Sequence, residues 1–190
     1  MPLHIHGTNA ADPYLRASFD IRHRLRRLLW QITWAVLCRP TPNIFHGWRA
    51  WVLRRAGANI GTDSLIYPGA RIWAPWLLTT GEVVTIANGA EIYNPGGVIL
   101  EHHSILSQGS FLCGATHDYN DPGFPMIWKP ILVGPYGWIC ARAVVLPGVT
   151  VGEGAILGAA AVTSRNLDAW SVYAGNPARK VGERTKPTQY

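Results

Sequence analysis

The residues best equipped for chemistry gather in one polar run, Thr116-His117-Asp118-Tyr119-Asn120-Asp121-Pro122-Gly123-Phe124-Pro125. His117 is a candidate general base, because an imidazole with a pKa near about 6.5 can take a hydroxyl proton at neutral pH. A solvated loop histidine is the plainer alternative. Asp118 and Asp121 are candidates to orient that ring or to bind acceptor hydroxyls. Cys113, four residues upstream, makes a Cys–His acyl-enzyme conceivable, although beside Leu112 a small buried residue would suffice. His102 and His103 with His117 offer a zinc reading. Asn94, in Tyr93-Asn94-Pro95-Gly96-Gly97, is either an acceptor contact or a turn former before proline. Arg179 and Lys180 follow the turn Gly175-Asn176-Pro177-Ala178, and on their own they read as a solvated basic tail.

These residues stand out against a repeat. An aliphatic residue recurs every six positions at Ile60, Ile66, Ile72 and Leu78, and after a slip of two at Ile86, Ile92 and Val98. A second slip leads to Leu100, Leu106 and Leu112, and beyond the polar run the register continues through Val133, Ile139, Val145, Val151 and Leu157. A small residue often falls four positions later, as at Ser64, Ala70, Ala90, Ser104, Ser110, Ala143, Ala155 and Ala161. A period of six is not a near-multiple of 3.6, which excludes an amphipathic helix. One short strand and one turn per hexad, three hexads to a triangular coil, give a parallel β-helix whose stacked coils bury a continuous core. The polar run, extending to about Pro130, is then an insertion leaving a rigid scaffold, the usual place for binding groups.

The front end is different. The chain of 190 residues carries a net charge of +6. Residues 1–59 hold nine Arg and two Asp, while residues 60–190 are close to neutral. From Asp20 the pattern is helical, with Leu25, Leu28, Leu29, Ile32 and Val36 on one face and Trp30, Trp34 and Leu37 beside it. Pro40 and Pro42 end this helix. A second is expected from Thr41-Pro42 to Gly57, with Phe45, Trp48, Trp51 and Val52 on one face. Packing on the main domain or a neighbouring subunit is the first expectation for these faces. The sharper one is peripheral membrane contact through residues 20–55, with Trp at the boundary and Arg on anionic headgroups. Nucleic acid is not expected as a partner, since no base-stacking module is visible and few Lys accompany the Arg. The longest apolar stretch, Leu28–Cys38, is too short to span a bilayer. No signal peptide is expected from the opening Met1-Pro2-Leu3-His4, and three Cys without C-x-x-C spacing suggest no disulfide scaffold. The expected location is cytoplasmic, at the inner face of the membrane if the peripheral contact holds.

The hexads, the loop opening with His117-Asp118, the segments Val133-Gly134…Gly137-Trp138-Ile139 and Pro147-Gly148-Val149-Thr150-Val151-Gly152, and Ala174-Gly175-Asn176-Pro177-Ala178-Arg179 together resemble the hexapeptide-repeat acetyltransferases. Trp48-Arg49-Ala50-Trp51-Val52-Leu53-Arg54-Arg55-Ala56-Gly57-Ala58 and Leu112-Cys113-Gly114-Ala115-Thr116-His117-Asp118 narrow the resemblance to the colanic acid biosynthesis (WcaF-like) type. It covers about residues 20–184. It implies a left-handed parallel β-helix, a homotrimer, and acetyl-CoA as acyl donor in a cleft between adjacent β-helices, with no metal expected. It makes His117 the general base. Trp138 would shape the cleft, Ala141 would contact the pantetheine arm, and Ala159, Ser164 and Arg165 would lie along the CoA track. Arg179 and Lys180 would meet the CoA phosphates. Cys140-Ala141-Arg142 and Pro135-Tyr136 depart from the usual small or polar residues. The zinc carbonic anhydrases with this repeat carry a His-x4-His pair, which is absent because position 122 is Pro122.

The expected class is therefore mainly β, with a basic helical segment over 1–59, the β-helix over 60–166 with its inserted loop 117–130, and a C-terminal extension over 167–190. The expected activity is transfer of acetyl from acetyl-CoA to a sugar hydroxyl in exopolysaccharide, capsule or glycolipid synthesis. The acceptor would be a sugar, a nucleotide-sugar or a lipid-linked sugar. A non-enzymatic β-helix scaffold is the alternative from another class.

Overall fold

The computed structural model describes residues 18–186. From Asn59 onward the chain winds into a three-sided prism. The first face is a sheet of seven strands, from Leu65–Ile66 through Thr85–Ile86, Ile105–Leu106, Trp138–Ile139 and Ile156–Leu157 to Ser171–Ala174 and Arg179–Glu183. The second face has five strands and the third has four. Pairing is parallel between coils, and within the prism's three sheets the last strand of the first face turns back antiparallel. Each two-residue strand points one side chain out and the next one in, so a hexad delivers one aliphatic residue to the interior. Ile66, Ile86, Leu106, Leu112, Val133, Ile139, Val145, Val151 and Leu157 are all fully buried. The small residues four positions further on are buried as well, Ser64, Ala70, Ala143 and Ala161 among them, because they line the inside of tight corners.

The slips of two have a structural location. Register partners are 20 residues apart in the early coils (Ile72↔Ile92↔Leu112) and 18 apart later (Val145↔Thr163). The additional residues fall at the corner between the second and third faces, at Trp73–Leu77 and Tyr93–Gly97. The insertion leaves from that same corner one coil later. The prism thus has one enlarged edge, and the polar run is its largest member.

Two helices cap the first coils. The first, α1 (Ile21–Leu37), begins at Asp20, whose carboxylate accepts from the His23 backbone N–H, a conventional N-cap. Its buried residues are Trp30 and Trp34, so the stripe expected to be secondary is the one that packs, except at its third member Leu37, which is exposed. The row Leu25, Leu28, Leu29, Ile32 and Val36 faces outward. The reason is partly polar: the Trp30 indole N–H donates to the Ile72 carbonyl at 2.7 Å, a bond no aliphatic side chain can make. The second helix, α2 (His46–Arg55), starts four residues after the expected Pro42. Thr41 caps no helix there; its hydroxyl donates to Cys38 O and accepts from Arg49. The buried side of α2 is Arg49, Ala50, Val52 and Leu53. Of the expected face only Val52 is inside, and Phe45, Trp48 and Trp51 are exposed. Fully buried Arg49 decides this orientation. Its guanidinium donates to the carbonyls of Ile66, Pro42 and Asn43 and to the Thr41 hydroxyl, tying the inter-helix loop to the first coil.

Candidate active site

The insertion is an ordered hairpin. Strand Ala115–His117 pairs antiparallel with Met126–Trp128, and His117 stands opposite Met126. The hairpin leaves the coil at Gly114, whose N–H donates to Tyr93 O at 2.7 Å, while its carbonyl accepts from Lys129 N at 3.1 Å. A Cβ on Gly114 would lie 2.6 Å from Tyr93 O, so only glycine fits here without a shift.

His117 is half-buried and precisely held. Its Nδ1 lies 2.9 Å from the carbonyl oxygen of Phe124, and its ring stacks on that of Phe124 at 4.4 Å between centroids and 10° between planes. A carbonyl only accepts, so Nδ1 must carry the hydrogen. In the neutral imidazole Nε2 is then the lone-pair nitrogen, the form a general base requires. Phe124 itself has a positive φ of 42°, an uncommon backbone conformation for an aromatic residue.

The two aspartates act one step removed from the ring. The Asp118 Oδ1 accepts from Asn120 N at 3.0 Å, and the Asp121 Oδ1 from Gly123 N at 2.7 Å. Each carboxylate thus closes a local turn. The Asp118 N–H donates to Pro125 O and the Phe124 N–H to Asp121 O, and this folded tip aims the Phe124 carbonyl at His117. Sequence reasoning missed Phe124, because a backbone carbonyl leaves no trace in residue type. Asn94 is fully buried, its Oδ1 accepting from Ala74 N and its Nδ2 donating to Ala74 O. It braces the enlarged corner beneath the hairpin and turns no polar atom to solvent.

An aromatic cluster fastens this hairpin to α1. Phe19 lies 5.0 Å from Trp73 and 6.1 Å from Trp128, and His23 packs 5.0 Å from Trp73. Arg26 stacks over Trp76 and Arg27 over Trp73, favourable cation–π placements. The Tyr93 hydroxyl reaches Met126 Sδ at 3.8 Å. Burial, then Arg27, holds the His23 pKa below the ordinary imidazole range, which favours its neutral form against the rings.

The residues expected along the CoA track fall on two edges. Ser164 and Arg165 are exposed at the corner between the second and third faces, the His117 edge, where Thr163 Oγ1 bonds to the Arg165 backbone. Trp138 projects from the first face, its indole N–H donating to Ser107 Oγ at 2.8 Å. Ala141 and Ala159 lie at the corner between the first and second faces, where adjacent coils are joined by Ala160 N–H to Ala141 O. Arg179 and Lys180 begin the returning strand near that corner, with Lys180 paired to Glu183 at 3.2 Å. Within one chain, His117 and the Trp138–Ala159 group stand on different edges.

His102 and His103 lie at the remaining corner, after the third face, with their Nδ1 atoms 3.1 Å apart. No three metal-ligating side chains come together among the described residues. Burial raises the Cys113 thiol, which keeps it protonated and a poor nucleophile. A cleft of about 610 Å³ between α1 and the first two coils is lined by Trp30, Trp34, Arg39 and the Arg71–Glu91 pair, and contains none of the expected site residues.

A parallel β-helix with hexad-spaced aliphatics and an edge loop presenting an oriented imidazole is the architecture expected of a hexapeptide-repeat acyltransferase. The comparisons with known proteins agree. The chain is 35% identical over 158 residues to an Escherichia coli K12 protein named as a colanic acid biosynthesis acetyltransferase, WcaF, covering 83% of this chain and 87% of the relative. It belongs to that family of acyl-CoA-dependent acetyltransferases. Among solved structures it superposes on the hexapeptide-repeat acetyltransferase VCA0836 of Vibrio cholerae in complex with acetyl-CoA, with a TM-score of 0.78 and 17% identity over 90% of this chain and 93% of the other. It also matches a maltose O-acetyltransferase of Clostridium difficile 630, with a TM-score of 0.75 and 19% identity over 88% and 90%. Those likenesses establish the left-handed β-helix. No protein-family model matches the chain.

Proposed function

We propose that the protein transfers acetyl from acetyl-CoA to a sugar hydroxyl, with His117 as general base, in the synthesis of a surface polysaccharide or glycolipid. The observation that carries the mechanism is the Nδ1–H bond to the Phe124 carbonyl. His117 Nε2 takes the acceptor's hydroxyl proton as that oxygen attacks the thioester carbonyl. Backbone N–H groups stabilise the developing oxyanion. The C–S bond then breaks, and His117 returns the proton to the departing CoA thiolate. The names of the relatives, a colanic acid enzyme and a maltose O-acetyltransferase, support a sugar acceptor.

We further propose a homotrimer. In a ring of three prisms, the His117 edge of one chain faces the Trp138–Ala159 edge of the next, and the cleft between them draws on both. Release of CoA with candidate sugars, wild type against His117→Ala, tests the chemistry; equal turnover excludes His117 as the base. Light scattering tests assembly, and a monomer with full activity removes the shared cleft.

A further inference from the structure

We propose that the outward face of α1 docks on an anionic lipid bilayer, and that this narrows the acceptor to a lipid-linked sugar. Only the acceptor clause rests on the acetyl-transfer reading.

The helix is turned inside out. It spends Trp30, Trp34, Arg26 and Arg27 on the β-helix and leaves Ile21, Leu25, Leu28, Leu29, Ile32 and Val36 outside, each more than half exposed. At the α-helical repeat these six form one stripe, opposite Trp30 and Trp34. A helix on a water-facing surface would bury such a row, and a contiguous aliphatic row of this length marks an interaction surface.

Charge selects the occupant. Arg22 and Arg24 flank the stripe on its two sides, and from Ile21 to Thr62 the chain contains no carboxylate. Beyond the end of α1, Trp48 donates its indole N–H to Leu37 O and stacks on Trp51, over which Arg55 sits. An aliphatic row bordered by arginine and tryptophan is the composition of a helix lying in a membrane interface. Anionic headgroups supply the negative charge that this segment lacks. A symmetric contact between two α1 helices would instead bring the arginines together with nothing to pair them. No helix among the described residues is long and apolar enough to cross the membrane, which leaves a surface-lying attachment. The same helix is fastened to the His117 hairpin through Phe19 against Trp128. A bilayer along α1 therefore runs beside the edge that carries the base.

The test is flotation of the full chain with vesicles of phosphatidylcholine alone or with added phosphatidylglycerol. Wild type is expected to float with the anionic vesicles only. Leu28→Asp/Ile32→Asp, both at exposed positions, is expected to cut bound protein about tenfold or more. Arg22→Gln/Arg24→Gln is expected to weaken binding by several-fold and to flatten its salt dependence. A wild type that stays unbound, or an Asp variant that floats equally, overturns the docking. So does a change in light-scattering mass for the Asp variant, which assigns the face to another copy of the chain. His117→Ala is expected to float like wild type while losing transfer, so failure of the chemistry and failure of docking read out separately. If docking holds, acetylation of a polyprenyl-linked sugar in anionic vesicles falls about tenfold in the Asp variant, while acetylation of a water-soluble sugar is unchanged. Equal loss on both acceptors overturns the acceptor clause.

Discussion

Gly114→Ala is a small perturbation with a large expected effect. The added Cβ would stand 2.6 Å from Tyr93 O and 3.4 Å from the Asn94 Cα, both backbone atoms of the corner below. A carbon and a carbonyl oxygen settle no closer than about 3.2 Å, so the strand must move by roughly 0.6 Å or the 2.7 Å bond from Gly114 N to Tyr93 O must lengthen. Overpacking of this kind costs about 1–3 kcal/mol. For a domain of this size that is a fall in Tm of about 2–10 °C. Catalysis is expected to suffer more, because His117 is three residues along a stiff hairpin anchored at this point. A misplacement approaching 1 Å can cost on the order of 100-fold in rate, and half that shift is expected to lower kcat by about tenfold. KM for acetyl-CoA should change little, since none of the residues expected to bind it lies at Gly114. The controls are Gly123→Ala, whose Cβ meets only the Asp121 carboxylate at 3.1 Å, and Gly47→Ala in α2, whose Cβ meets nothing within 4 Å. The latter should stabilise the helix by about 0.5–1 kcal/mol. Steady-state kinetics with CoA release and a thermal melt decide the matter. If Gly114→Ala keeps kcat within twofold and an unchanged Tm, the hairpin is not positioned as argued.

Asp121→Ala should lower kcat several-fold with little change in KM, while Asp121→Asn, which keeps an oxygen for the Gly123 N–H, should retain most activity; loss in both variants would mean the charge itself is used. Arg49→Met should cost about 3–5 kcal/mol by stranding the carbonyls it now satisfies, read as a lower urea midpoint, and a loss below about 1 kcal/mol would refute its role in seating α2. Burial pushes the Cys38 thiol up to about 11 and also raises Cys113 and Cys140, so alkylation at pH 8 should be slow in the folded protein and fast in urea. Because folded Cys38 holds its proton more tightly than the unfolded thiol, its contribution to stability is present at neutral pH and is lost between about pH 8.5 and 11. Cys38→Ala should flatten that alkaline slope in urea melts. His23 has the opposite sign: its lowered pKa means that stability rises with pH up to the unfolded value near about 6.5, and His23→Phe should remove the part of the acid loss that depends on this group.

The β-helix could be read from the chain because its signal is one-dimensional. Each coil sees only its neighbours, so a repeating aliphatic every six residues is both the pattern and the core, and Val133 through Leu157 are buried as their spacing requires. The slips of two were visible too, but not their meaning. They are additions to one corner, which stack into the edge from which the hairpin leaves. The helices were harder. Both apolar stripes of α1 are real, and period alone cannot say which one the prism takes. Trp30 finds a carbonyl at Ile72, and the arginines find Trp73 and Trp76, so the aromatic side turns in.

The sequence by itself determined the repeat, the class of fold and the family, and it singled out His117 as the candidate base, since these depend on residue types at fixed spacings. The tertiary structure decided how that imidazole is oriented. The proton on Nδ1 is fixed by the backbone carbonyl of Phe124, a group every residue possesses and no composition reveals. The same is true of Asp118 and Asp121, whose carboxylates are drawn into turns by N–H groups two residues away. It also decided which face of α1 meets the outside, because that choice follows from where the first corners of the prism present their carbonyls and indoles.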